Sequence, residues 1–201
     1  MVVVSLVKGK DRYEIVKQSL ELIKEGVREG IKSHRMAIIK PNFVSAYNQL
    51  ASTHVEHVKA IIDFLVDFYN GKLMVAESAA IGSAKEAFRN FGYTQLKKDY
   101  GIELFDLEDD EYEEVMIMDK NLHPVIIKVS KLMLNPANYI ISAAKLKTHD
   151  TVVVTLSLKN IVMGAIIGGD KPKVHQGIKQ INLNLFLLAM KLMPRVASID
   201  G

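Results

Sequence analysis

Short apolar runs alternate along this chain with amphipathic helical patterns, and that alternation commits it to a layered α/β fold with a mostly parallel sheet. Val2 to Val7 is the first strand-like run. Ile15, Val16, Leu20, Ile23 and Val27 then recur at helical spacing, with Gly26 and Gly30 near the expected end. Met36 to Ile39 predicts a second strand, stopped by Pro41.

Thr53 and Glu56 fit a capping box, in which a hydroxyl and a carboxylate three residues apart satisfy free amides at a helix start. Val55, Val58, Ile62, Leu65 and Phe68 form the buried face of the helix that follows. Lys72 to Ala76 predicts the third strand, and Ser83 with Glu86 a second capping box, its short helix ended by Gly92. Ile102 to Leu107 is the next strand. Residues 112–130 hold two apolar runs around the polar stretch DKNLHP, the pattern of an antiparallel hairpin. Tyr139 to Ala143 is apolar on both faces, as a central parallel strand is. A last helix spans about residues 175–192, and Val196 to Ile199 begins a final strand.

No internal repeat or low-complexity linker divides the chain, so residues 1–201 are expected to form one α/β domain. The 26 basic residues nearly balance 23 acidic ones, and no Lys/Arg run of the nucleic-acid-binding kind appears, so nucleic acid is not an expected partner. Zero Cys excludes disulfides, thiolate zinc sites, cysteine nucleophiles and any cysteine-ligated iron–sulfur cluster within these residues. With no export signal in MVVVSLVKGK, the expected location is cytoplasmic. The longest apolar stretch, Val152 to Ile167, is interrupted by Lys159 and Asn160; it reads as core and not as a membrane span.

Open α/β sheets bind ligands beyond the carboxyl ends of their strands, which directs attention to polar residues just after a strand. Four places qualify: Lys40-Pro41-Asn42, Glu77-Ser78, Lys145-Leu146-Lys147-Thr148-His149 and Asp200-Gly201. The third leads into Thr155, Ser157, Lys159 and Asn160. Charged residues at strand ends often form only a solvated rim, and that alternative stands for Lys145 and Lys147. Lys159 interrupts an apolar run, where a buried ammonium needs a partner or a bound anion.

TVVVTLSLKN, residues 151–160, fits either a helix capped by Asp150 or a strand, and Thr155 and Lys159 share a side in both. The continuation of the apolar pattern to Ile167 favours the helix. His149 has the titration range for proton transfer. His54 and His57, three apart, offer a weak metal pair beside the simpler alternative of capping or surface placement. Gly164, Gly168 and Gly169 with Lys171 lack the spacing of a phosphate loop and suit a flexible flap instead.

The order of KPNF (40–43), AES (76–78), FGY (91–93), KLKTH (145–149), TLSLKN (155–160), His175 and the terminal Asp200-Gly201 resembles domain-of-unknown-function family 362 over nearly the whole chain. The resemblance implies a setting near electron transfer, since many relatives carry a ferredoxin-like segment with cysteines for four-iron clusters. Here an iron–sulfur partner would have to be a separate protein. The family pattern also continues past the final Asp-Gly, so the resemblance implies that these residues lack a C-terminal part of the full domain.

Two functions are expected from these residues. In the first, Lys40, Lys145, Lys147 and Lys159 attract a carboxylate or phosphate, and Asn42 and Thr155 orient it. Glu77, Ser78, Thr148, Asn160 and His175 complete that binding site, and His149 with Lys159 serves any catalysis. In the second, the lysines form a docking surface for an acidic redox partner. A minor metal site would use Glu77, His149, His175 and Asp200.

Overall fold

The computed structural model describes residues 3–149, 153–192 and 194–200, without the side chains of His149, Val153 and Thr155. Two helices open it, α1 (Arg12–Glu21) and α2 (Lys24–Ile31), followed by strand β1 (Met36–Lys40), helix α3 (Val55–Val66) and strand β2 (Lys72–Glu77). Helices α4 (Ala84–Asn90) and α5 (Thr94–Tyr100) lead to β3 (Glu103–Asp106). An antiparallel hairpin of β4 (Tyr112–Met118) and β5 (Pro124–Ser130) and a turn of helix, α6 (Lys131–Leu134), precede β6 (Asn138–Lys145).

The chain then forms a ribbon of β7 (Lys147–His149) and β8 (Val153–Thr155), helix α7 (Ser157–Ala165) and the two-residue strand β9 (Ile166–Ile167). Helices α8 (Lys171–Val174) and α9 (Ile178–Leu192) and strand β10 (Val196–Asp200) complete it.

Five strands form one parallel sheet in the order β10-β6-β1-β2-β3, and β9 joins the hairpin as a separate three-stranded antiparallel sheet. Strand pleating sends alternate residues to opposite faces. Ala37, Ile39, Leu73, Val75, Tyr139 and Ile141 pack under α1 to α5, and Ile38, Met74, Ala76 and Ile140 pack under the hairpin, α7 and α9. The chain winds outward from β1 through β2 to β3, then returns to lay β6 and β10 on the other side of β1. The order therefore reverses between β1 and β6, and a crevice opens at the carboxyl ends of the strands at such a reversal.

Several expectations change here. Residues 3–7 join no strand, and Val3, Val4 and Leu6 are exposed, because the run has no pairing partner among the described residues. Residues 11–27 divide into α1 and α2 at Leu22 and Ile23. Thr53 does not cap α3: its hydroxyl donates to the Ala143 carbonyl at 2.8 Å, and the His54 ring takes the cap by accepting from Glu56 N–H. The Ser83–Glu86 capping box is present with both bonds.

The stretch favoured as one helix to Ile167 is instead strand β8, helix α7 and strand β9, with Asp150 outside the described residues. Three β-branched residues, Val153, Val154 and Thr155, suit the strand, and pairing with Lys147–His149 decides for it over the helical period. No helix among the described residues is long and apolar enough to cross a membrane.

Candidate functional site

At the crevice, β1 ends in Lys40, whose side chain is 0% exposed. A buried ammonium is tolerated only when its donors are all engaged. Lys40 Nζ donates to Glu77 Oε1 at 2.7 Å, to the Pro41 carbonyl at 3.0 Å and to Asn160 Oδ1 at 3.1 Å, which uses its three protons. Glu77, at the end of the neighbouring β2, also accepts from Ser78 N–H at 2.8 Å and Phe43 N–H at 3.1 Å. Burial pushes the Lys40 ammonium down and the Glu77 carboxyl up, and each charge opposes the other's shift. Three N–H donors on Glu77 favour the carboxylate, so we assign an ion pair.

Asn160, on the first turns of α7, joins this pair to β6. Its Oδ1 accepts from Lys40 and from Asn42 Nδ2 at 3.2 Å, and its Nδ2 donates to Lys40 O and Ser142 Oγ, each at 3.1 Å. Ser157 adds a bond to Ser142 at 3.0 Å. Ser157 and Asn160 thus face the sheet, while Lys159 lines the cavity. Gly164, two turns on, is required by proximity: a Cβ there would overlap Lys40 Cε and Nζ. It belongs to a buried helix and not to a flap. Gly168 and Gly169 turn the chain after β9 with φ of 66° and 76°, a region that favours glycine.

Above this buried floor lies a cavity of about 780 Å³. Two lysines on its wall hold the strand-end loops. Lys147 Nζ donates to Asn42 Oδ1 and, at 2.7 Å, to the Ala51 carbonyl. Lys171 Nζ donates to Ser78 Oγ at 2.9 Å and to the Ser78 and Ala79 carbonyls at 3.0 and 3.3 Å, with Glu108 Oε1 at 3.5 Å. Ser78 Oγ in turn donates to Gly164 O at 2.7 Å. Phe43 meets Phe88, Phe91 and Tyr93 edge-on, which brings KPNF and FGY together and fixes the β1 loop.

Among the described residues that line the cavity, the lysines Lys40, Lys147, Lys159 and Lys171 outnumber the carboxylates of Glu77 and Glu108. Both hydrogen-bond acceptors of Lys147 are neutral oxygens. Burial, then the charges of Lys159, Lys40 and Lys145, lower its pKa to about 8, against the opposing pull of Glu77.

Of the predicted residues, Lys40, Asn42, Glu77, Ser78, Lys147, Thr148, Lys159, Asn160 and His175 all line this cavity. Lys145 does not: it ends β6, in register with Asp200. The side chains of His149 and Thr155 lie outside the described residues. Asp200 accepts from Arg12 Nε at 2.6 Å and faces α1. It stands three strand positions from Glu77, roughly 14 Å at ordinary strand spacing. No group of three or more potential metal ligands assembles among the described residues. His57 is buried with Nε2 2.8 Å from Ser198 Oγ, while His54 caps α3, so this pair is not arranged around an ion.

Lys171, Glu108 and Gly164 were not among the expected site residues. A glycine inside a helical pattern was the available signal for Gly164; nothing local marks Glu108.

The family model described as "Domain of unknown function (DUF362)" matches residues 38–201. No curated protein and no solved structure gave a significant match.

Proposed function

The chain belongs to the DUF362 domain family, and from the charge balance of the cleft at its β1/β6 reversal we propose that it binds an anionic small molecule, a carboxylate or a phosphate. The single observation that carries this is Lys147, an ammonium withdrawn into the cleft and bonded only to neutral oxygens. Burial and the neighbouring lysines depress its pKa, and a bound anion would act in the opposite direction by favouring the ammonium form. Lys159 and Lys171 add positive potential around the same cavity, and Thr148 and His175 supply further polar groups on its wall. Asn42 is oriented by Asn160 and Lys147 and so presents a fixed amide.

Lys40 and Glu77 have a different role in this proposal. Their donors and acceptors are used within the protein, so they set the floor and the position of α7 while Lys147 meets the ligand. A docking surface for an acidic protein would place its lysines on open ground; Lys40 is fully buried and Lys147 is partly so, which favours a small ligand.

Equilibrium dialysis with labelled inorganic phosphate tests the proposal. Saturable binding at one site per chain, displaced by oxalate and weakened at least tenfold in Lys147→Gln, is expected. Uptake that never saturates, or that is unchanged in Lys147→Gln, would overturn it.

A further inference from the structure

We propose that the ligand of this cleft is amphiphilic: an acid group held at Lys147 joined to an apolar body, about the size of an aromatic ring or larger, lodged against Val44 and Met163. This rests on the anion-binding function proposed above and specifies the class of molecule. Two observations lead to it. The first is size. A cavity of about 780 Å³ lies within the range of about 300–1,000 Å³ typical of sites for drug-sized molecules, and a bare phosphate or acetate would leave most of it to water.

The second is the distribution of chemistry on the wall. The polar groups gather at the strand ends and on Lys147, Lys159 and Lys171. Much of the remaining lining is apolar: Val44, Ala79 and Ala80 from the strand-end loops, Met163 from α7, and Pro172 from α8. These surfaces come from elements that the buried network already fixes. Met163 is one residue before Gly164, whose backbone is pressed against Lys40, and Ala79 follows Ser78 in the loop gripped by Lys171. Val44 is 37% exposed, apolar surface that a ligand would cover. A cleft built only for a compact inorganic anion would gain nothing from such a wall, whereas apolar surface removed from water adds affinity roughly in proportion to its area. Methionine suits a wall that must fit an organic body, since its thioether chain adapts to shape and contacts rings favourably.

Isothermal titration of the full chain with inorganic phosphate, phenyl phosphate and benzyl alcohol tests this. Phenyl phosphate is expected to bind at least tenfold more tightly than inorganic phosphate, and benzyl alcohol not detectably. In Met163→Gln the advantage of phenyl phosphate over inorganic phosphate should shrink at least threefold, and a cooperative thermal transition and a far-ultraviolet circular dichroism spectrum matching the parent's show that the variant is folded. Equal affinity for the two phosphates would overturn the apolar body and leave the anion site standing. Benzyl alcohol binding as tightly as phenyl phosphate, or no binding of either phosphate, would overturn the anion site itself.

Discussion

At the scale of single residues, three buried side chains make sharp demands. Lys40 and Glu77 neutralise each other inside the protein, and removing one partner strands the other's charge. Lys40→Met should therefore cost about 3–5 kcal/mol by urea denaturation. Adding Glu77→Gln should recover part of that loss, because the unpaired carboxylate goes with it; a double variant less stable than Lys40→Met would refute the ion-pair assignment. Gly164→Ala should cost about 1–3 kcal/mol, since the added methyl pushes Lys40 off its partners.

His57 sets an acid limit. Burial holds its pKa down to about 4, whereas in the unfolded chain it titrates near 6.5. Between these values the unfolded state binds more protons, so this contribution is complete above about pH 6.5 and declines as pH falls. The loss should reach about 3 kcal/mol by pH 4. In His57→Phe the fall in urea midpoint between pH 6.5 and 4.5 should be visibly shallower than in the parent; an identical slope would show that His57 does not carry it.

At the scale of elements, α7 is the piece that makes the site. Its outer side packs in the second core through Ile161, Val162 and Ala165, while Asn160 and Ser157 fasten its start to β1 and β6. Asn160 makes four bonds, so Asn160→Ala leaves Lys40, Asn42 and Ser142 each short of a partner and should cost about 2–4 kcal/mol. Amide exchange should speed up across residues 157–165 more than in β1. Uniform acceleration throughout the sheet would instead mean that Asn160 supports global stability alone.

This element was also the least legible in the sequence. Hydrophobic periodicity predicted β1, β2, the hairpin, β6 and β10 nearly to their ends, because each is buried in a regular pattern. Within residues 151–167 strand and helix patterns overlap, and the antiparallel pairing of Val153–Thr155 with β7 decides for the strand there. Thr53 shows the same limit: its sequence fits a cap, yet the Ala143 carbonyl, 90 residues away, claims the hydroxyl.

At the scale of the whole molecule, the site follows from topology. The sheet order reverses between β1 and β6, and Lys40 and Lys147 stand at or just beyond those strand ends, while Lys159 comes from α7. The strand-end rule located Lys40, Asn42, Glu77, Ser78 and Lys147 together because it depends only on finding strands. It could not locate Lys171 or Glu108, which reach the cavity from other elements, and Asp200, also at a strand end, bonds Arg12 on α1 and is not part of the cavity lining. The cation count is a property of the assembled fold, since Lys40, Lys147, Lys159 and Lys171 come from four separate elements or their ends.

Lys147 links that architecture to a measurable quantity. Under the proposed function its ammonium form attracts the anion, and in the free protein that form is lost as pH rises through about 8. Anion binding must then raise its pKa, and affinity must fall with deprotonation. The decisive measurement is the phenyl phosphate dissociation constant from pH 7 to 9.5 in the parent chain and in Lys147→Gln. Affinity in the parent should hold steady to about pH 8 and then weaken by up to about tenfold per pH unit, and the variant should bind at least tenfold more weakly at pH 7 with a flatter profile. A parent affinity that does not change across this range, or a variant that binds as the parent does, would contradict an anion site centred on Lys147.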